Sequence, residues 1–149
     1  MGAIALDRQT LVDAQWYRDA WKAYQSKPTL GRPERDDDLD RIATDRDTGL
    51  FIIDAQNERM AIRAETIARE FSLNIAIRGS GREYREASAI ADSDRILLIP
   101  VDFPEAPDVS SEVDAAAVEL RELMHWYFAP ENAARLVEAG VDVCLTSDG

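Results

Sequence analysis

Four short aliphatic runs set the limits on how this chain can fold. They are Leu50-Phe-Ile-Ile-Asp54, Leu73-Asn-Ile-Ala-Ile77, Arg95-Ile-Leu-Leu-Ile-Pro-Val101 and Val141-Asp-Val-Cys-Leu145. Each is rich in β-branched or aliphatic residues and nearly continuous in apolar character, which predicts strands buried on both faces. The stretches between them are too long for hairpins and carry a helical period. Strands alternating with helices predict right-handed βαβ units and a parallel sheet.

Two helices are expected ahead of the first strand. Between Thr10 and Gln25, Leu11, Ala14, Trp16, Tyr17, Ala20, Trp21 and Tyr24 recur at mixed three- and four-residue spacing, an amphipathic helix with an aromatic face. Lys27-Pro-Thr-Leu-Gly-Arg-Pro33 ends it, because two prolines and a glycine cannot continue a helix. Asp36-Asp-Asp-Leu-Asp-Arg-Ile42 opens the second helix, its acids suited to a positive N-terminus rather than to a metal cluster. Further helices are expected from Asn57 to Phe71 with Asn57 as N-cap, near Glu83 to Ala91, from Ser111 to Tyr127, and from Pro130 to Gly140. The sequence divides into a helical lead-in, residues 1–49, and four strand-bearing units, residues 50–149, of one partial domain.

The chain has 149 residues, 17 Lys and Arg against 29 Asp and Glu, and a net charge of -12. A surface so acidic repels phosphate backbones and anionic lipids, so neither nucleic acid nor membrane is an expected partner. No apolar run approaches the ~18–20 residues of a membrane span. The opening Met1-Gly-Ala-Ile-Ala-Leu6 is too short for a signal peptide, so a cytoplasmic place is the default expectation for this chain, although a longer parent could be exported. The single Cys144 excludes an internal disulfide and is expected to be a small core residue. One Cys and one His cannot make a Cys/His zinc site.

Residues that follow the strands of a parallel sheet gather at one rim. Here they are Asp54-Ala-Gln56, Arg78-Gly-Ser80, Asp102-Phe103 and Ser147-Asp148. Asp54, Arg78 and Asp102 are the candidate substrate-binding residues, and Asp148 is the candidate catalytic carboxylate. Asp54 could instead begin the turn into the next helix, and Asp102 before Phe-Pro could be a turn former. Gly79-Ser-Gly81 could offer backbone N–H groups to an anion or be a structural turn. It lacks a dinucleotide fingerprint and a phosphate-loop Lys. His125 reads as a packing or surface group rather than a ligand or base, and the Trp126-Tyr-Phe128 cluster as core or interface rather than a ligand box.

Ala129-Pro-Glu-Asn-Ala-Ala-Arg-Leu-Val-Glu-Ala-Gly-Val-Asp-Val-Cys-Leu-Thr-Ser-Asp148 resembles the helix-to-final-strand segment of metal-dependent amidohydrolases, in particular the imidazolonepropionase-like branch and its large bacterial relatives. Ile4 to Tyr17, Ala68 to Leu73, Asp102-Phe-Pro104 and Leu120 to Trp126 agree with it. The resemblance implies that the four strands are strands five to eight of a (β/α)₈ TIM barrel. It implies hydrolysis of an amide-like or cyclic C–N bond, with a divalent metal, zinc or similar, supplying hydroxide, and with Asp148 as metal ligand and proton carrier. The sequence departs from the family at the ligands. The strand-one His-x-His has no strand here to carry it. No imidazole stands near Asp54 or near Arg78 to Ser80, where the strand-five and strand-six histidines would fall.

The chain is therefore expected to be a fragment of a larger hydrolase, inactive and without cofactor by itself. Its partner is expected to be the missing barrel half, or a second copy joined through open sheet edges. A small molecule would be the substrate of an active parent. A degenerate barrel used for binding or assembly is the non-catalytic alternative. A free-standing flavodoxin-like domain is a third.

Overall fold

A computed structural model describes residues 2–147, so the candidate carboxylate Asp148 lies outside the described residues. The chain forms two compact units, Met1–Phe51 with Ile67–Asn74, and Ile52–Thr66 with Ile75–Gly149.

The first unit is built on α1 (Ala3–Ser26) and α2 (Asp37–Asp45). Ala14 and Tyr17 of α1 and Ala43 of α2 are buried. Asp36 caps α2, its carboxylate accepting from the N–H groups of Asp38 and Leu39 at 3.1 and 3.0 Å. The acidic run is thus a helix start, three acids in the first turn lying against the positive end of the dipole. Arg46 closes the unit by donating to the Phe71 carbonyl and to Gln15, both at 3.0 Å.

The remaining elements are β1 (Phe51–Asp54), α3 (Glu58–Phe71), β2 (Ile75–Arg78), a 3₁₀ turn (Glu83–Glu86), α4 (Ala87–Ala91), β3 (Ile96–Pro100), α5 (Glu112–Ala117), α6 (Leu120–Phe128), a 3₁₀ turn (Ala129–Glu131), α7 (Asn132–Glu138) and β4 (Val143–Thr146). The sheet is parallel and its strand order is β1-β2-β3-β4. Right-handed crossovers between strands in unbroken order place the helices that connect them on the same side of the sheet. A doubly wound sheet needs a reversal of order instead. The flavodoxin-like alternative therefore falls, and the half-barrel expectation stands: four parallel strands alternating with helices make half of a (β/α)₈-like ring.

Register sorts the side chains into two faces. Ile77 pairs with Leu97, and Leu97 with Val143. On that face Ile75, Ile77, Leu97 and Ile99 are at most 3% exposed. On the other face Arg78 pairs with Leu98, and Leu98 with Cys144. Asp54 bonds Arg78, so it shares this second face, and alternation puts Ile52 there too.

The expectation of strands buried on both sides holds for β2, where Ile75, Ala76 and Ile77 are all buried, and is corrected on the second face of the other strands. Ile52 is 61% exposed, Ile96 is 43% exposed, and Cys144 is exposed rather than a core residue. Continuous apolar character marked faces made for burial, but the outer strands are only partly covered: Leu145, in register with Ile99 on the first face, is also exposed. A second correction concerns the helix expected from Ser111 to Tyr127. Val118 and Glu119 adopt extended backbone and split it into α5 and α6. Ser111 caps the first piece by accepting from Asp114 N at 3.1 Å.

Candidate functional site

The strands end at one rim, and the rim holds a cleft of about 300 Å³ lined by Asp54, Ala55, Gln56, Arg78, Gly79, Ser80, Pro100 and Asp102. Asp54, Arg78 and Asp102, named from sequence as residues following three different strands, therefore converge. Ser147 is exposed just after β4, and Asp148 beyond it lies outside the described residues.

Arg78 and Asp54 face each other across the last residues of β2 and β1. The guanidinium Nε lies 2.7 Å from Asp54 Oδ1, and a second nitrogen donates to Oδ2 at 3.1 Å. This fork-on-carboxylate geometry fixes both planes. The pair is open to water, with side-chain exposures of 41% and 63%, so its Coulomb energy is strongly screened. Its value to a site lies in orientation. Ala55 N donates to the Arg78 carbonyl at 2.8 Å and Gly79 N to the Leu98 carbonyl at 2.9 Å, which ties the loop starts to neighbouring strands. Asp54 is thus a cleft residue in its own right, and Asp102 lines the same cleft from the loop after β3.

The Gly79-Ser80-Gly81 turn is structural. Ser80 N, the N–H that an anion would need, already donates to Glu83 Oε1 at 2.5 Å. Glu83 is fully buried, as is Asn132 at the start of α7. Asn132 Nδ2 donates to Glu83 Oε2 at 3.0 Å, and Asn132 Oδ1 accepts from Tyr84 N at 2.6 Å. Sequence reasoning passed over both residues. The signal for Glu83 was available, because Ser80-Gly-Arg-Glu83 has the spacing of a capping box. Nothing local marks Asn132, which reaches the turn from 49 residues away.

His125 takes no part in the cleft. Its ring stacks on Tyr84 at 6.3 Å and 12°, away from the rim residues. Burial, with Arg82 and Arg85 nearby, lowers its pKa from 6.5, against smaller opposing effects of Glu83 and Glu58. Of the neighbouring aromatics, Phe128 packs on Tyr84 at 5.7 Å, whereas Trp126 and Tyr127 are exposed.

The described residues do not fit a divalent metal. Among the described residues no three His, Cys, Asp or Glu side chains gather closely enough to hold one. At the rim the Arg78 guanidinium already holds Asp54, and no imidazole lines the cleft.

No family model and no curated protein matches this sequence. A solved structure does: an amidohydrolase from Thermotoga maritima MSB8 shares the fold with a TM-score of 0.72 over 99% of this chain, at 17% identity. The match takes up 35% of that amidohydrolase, so this chain spans about a third of its length. At this identity the likeness is one of architecture, and the four parallel strands and their connecting helices have an amidohydrolase-like fold.

Proposed function

We propose that these residues form one half of the active-site rim of a barrel hydrolase that cleaves amide or cyclic C–N bonds, and that the 149-residue chain by itself is inactive. The observation that carries the reading is the convergence of Asp54, Arg78 and Asp102 on one cleft, at the carboxyl rim of a sheet whose fold is shared with an amidohydrolase. Catalytic groups of barrel enzymes come from the ends of several strands, as these do.

In this reading the described residues bind and orient. The Arg78 guanidinium, held flat by Asp54, would engage a carbonyl or carboxylate oxygen of the substrate. Asp102 would accept an N–H. Asp148 is assigned the proton-moving role. A divalent ion in a complete protein would draw its ligands from Asp148 and from residues outside this chain.

The test is turnover of a panel of amides and cyclic amides by this chain and by a longer protein containing it. The chain alone is expected to give none, and turnover by it would overturn the claim of inactivity. In the longer protein Asp148→Asn is expected to lower turnover by about 10²–10⁴-fold, the range of a general acid–base group. Unchanged turnover would remove Asp148 from the mechanism.

A second reading has one observation in its favour. The Arg78–Asp54 pair stands where the resembling family carries imidazoles, as in a barrel converted to binding or assembly. That reading predicts no stoichiometric metal in the longer protein. One tightly held ion per barrel, measured by elemental analysis, would reject it.

A further inference from the structure

The buried Glu83–Asn132 pair sits beside the rim without lining it. Placing a carboxylate where it has no exposure costs several kcal/mol unless its oxygens are hydrogen-bonded. Among the described residues, both oxygens of this one are met by donors. Oε1 accepts from Ser80 N at 2.5 Å and from Ser80 Oγ at 3.0 Å, and Oε2 accepts from Asn132 Nδ2 at 3.0 Å. Asn132 cannot turn over, because its Oδ1 is held by Tyr84 N at 2.6 Å. Asn132 Nδ2 on one oxygen and Ser80 N on the other therefore call for two acceptors, which a carboxylate supplies. The fit is close. A Cβ on Gly79 would lie 2.8 Å from the Glu83 carboxyl, so glycine is what lets the chain pass.

The consequence appears in the cleft, which Ser80 lines. A hydroxyl has one proton and two lone pairs. The Ser80 proton is committed inward to a charged acceptor, the stronger kind of hydrogen bond. What the hydroxyl then offers the cleft is lone pairs alone. Asp54 and Asp102 add two more acceptor-only groups to the same cleft. We infer that Glu83, oriented by Asn132, is a positioning residue that fixes Ser80 as a hydrogen-bond acceptor, and that the cleft thereby selects ligands presenting N–H groups over isosteres that lack them. This inference rests on the reading of the rim cleft as a ligand site.

The experiment uses two probes of nearly equal shape, benzamide and acetophenone, which differ by an amino group in place of a methyl. Binding to the ¹⁵N-labelled chain is followed by the amide shifts of Ala55, Gly79 and Ser80. Benzamide is expected to bind about tenfold more tightly than acetophenone, the discrimination of one well-placed polar contact. Glu83→Gln is expected to abolish that preference: Tyr84 N fixes Asn132 Nδ2 as a donor, so the new amide keeps its carbonyl there and turns its own donor toward Ser80, whose hydroxyl rotates to accept it. The double variant E83Q/N132D is expected to restore it. The Gln carbonyl then accepts from Ser80, its amide donates to the new Asp, and that Asp accepts from Tyr84 N.

A merely structural role would not predict recovery of selectivity by moving the carboxylate. Should Glu83→Gln fail to fold, Ser80→Ala leaves the Asn132 bond intact and must lose the preference on the same grounds. If both probes bind the unaltered chain equally, the cleft is a ligand site and the inference about Ser80 is wrong. If neither shifts the three amides, the cleft reading fails and the inference with it. A preference that survives Glu83→Gln, or one that a folded double variant does not regain, also overturns the inference.

Discussion

A single residue's burial can be read as a pH response, and His125 is the clearest instance. Its Nδ1 is buried with no hydrogen-bond partner among the described residues. Its ring stacks on Tyr84, over which Arg85 lies at 5.6 Å. Burial, followed by the charges of Arg82 and Arg85, disfavours the imidazolium, and Glu83 and Glu58 only partly oppose this. The folded-state pKa therefore lies below 6.5. The unfolded chain takes up the proton first as pH falls, so stability is fully present above about pH 6.5 and declines below it. Urea midpoints at pH 7.5 and 5.0 should show a smaller loss in His125→Phe than in the unaltered chain. Equal losses would show that other groups set the acid response. The cap at Asp36 offers a second residue-scale check: Asp36→Ala should cost about 1 kcal/mol of unfolding free energy.

At the scale of elements, the sequence showed its periodicities and hid its long-range contacts. The aliphatic runs located all four strands to within about two residues at each end, because a strand between helices is apolar wherever it sits. Asn57 was legible as an N-cap, and its Oδ1 does accept from Met60 N at 3.0 Å. The break at Val118 was not legible. Glu112 to Tyr127 contains no Pro or Gly, so only the extended backbone at Val118 and Glu119 ends one helix and begins the next. The rim was legible as residue types but not as geometry: position after a strand named Asp54, Arg78 and Asp102, whereas the Arg78–Asp54 fork depends on adjacent strands ending level. Glu83–Asn132 was hidden for the same reason, since one partner arrives from α7. This pairing makes the β2–α4 connection intolerant. Gly79→Ala would push a methyl into a carboxylate held by three hydrogen bonds, and should destabilise the chain by about 1–3 kcal/mol in urea unfolding. Leu136, with no exposure, is the comparison from packing alone: Leu136→Ala should cost about 2–5 kcal/mol.

At the scale of the whole molecule, the unbroken strand order has a consequence for solution behaviour. A sheet of order β1-β2-β3-β4 ends in two edge strands, and each edge presents backbone N–H and C=O groups along one side. Between the edges lies the face that carries Ile52, Ile96 and Cys144 in the open. Eight parallel strands close a barrel of this kind, and four plus four restore that number. A second copy turned about the barrel axis would bring β1 of each chain to β4 of the other and cover both apolar faces, the self-complementary contact of a two-fold dimer. We therefore propose that the isolated chain self-associates at micromolar concentration. The net charge of -12 on each copy opposes the approach, so association should strengthen as salt shortens the reach of that repulsion. Light scattering in 50 and 500 mM salt should show a mass above that of one chain, rising with salt. Ile52→Lys, which places a charge on an edge strand, should return the particle to the mass of one chain without loss of helical circular dichroism. A monodisperse single-chain mass for the unaltered protein in both buffers would overturn this proposal, and would mean that the open face is tolerated by the chain as it stands.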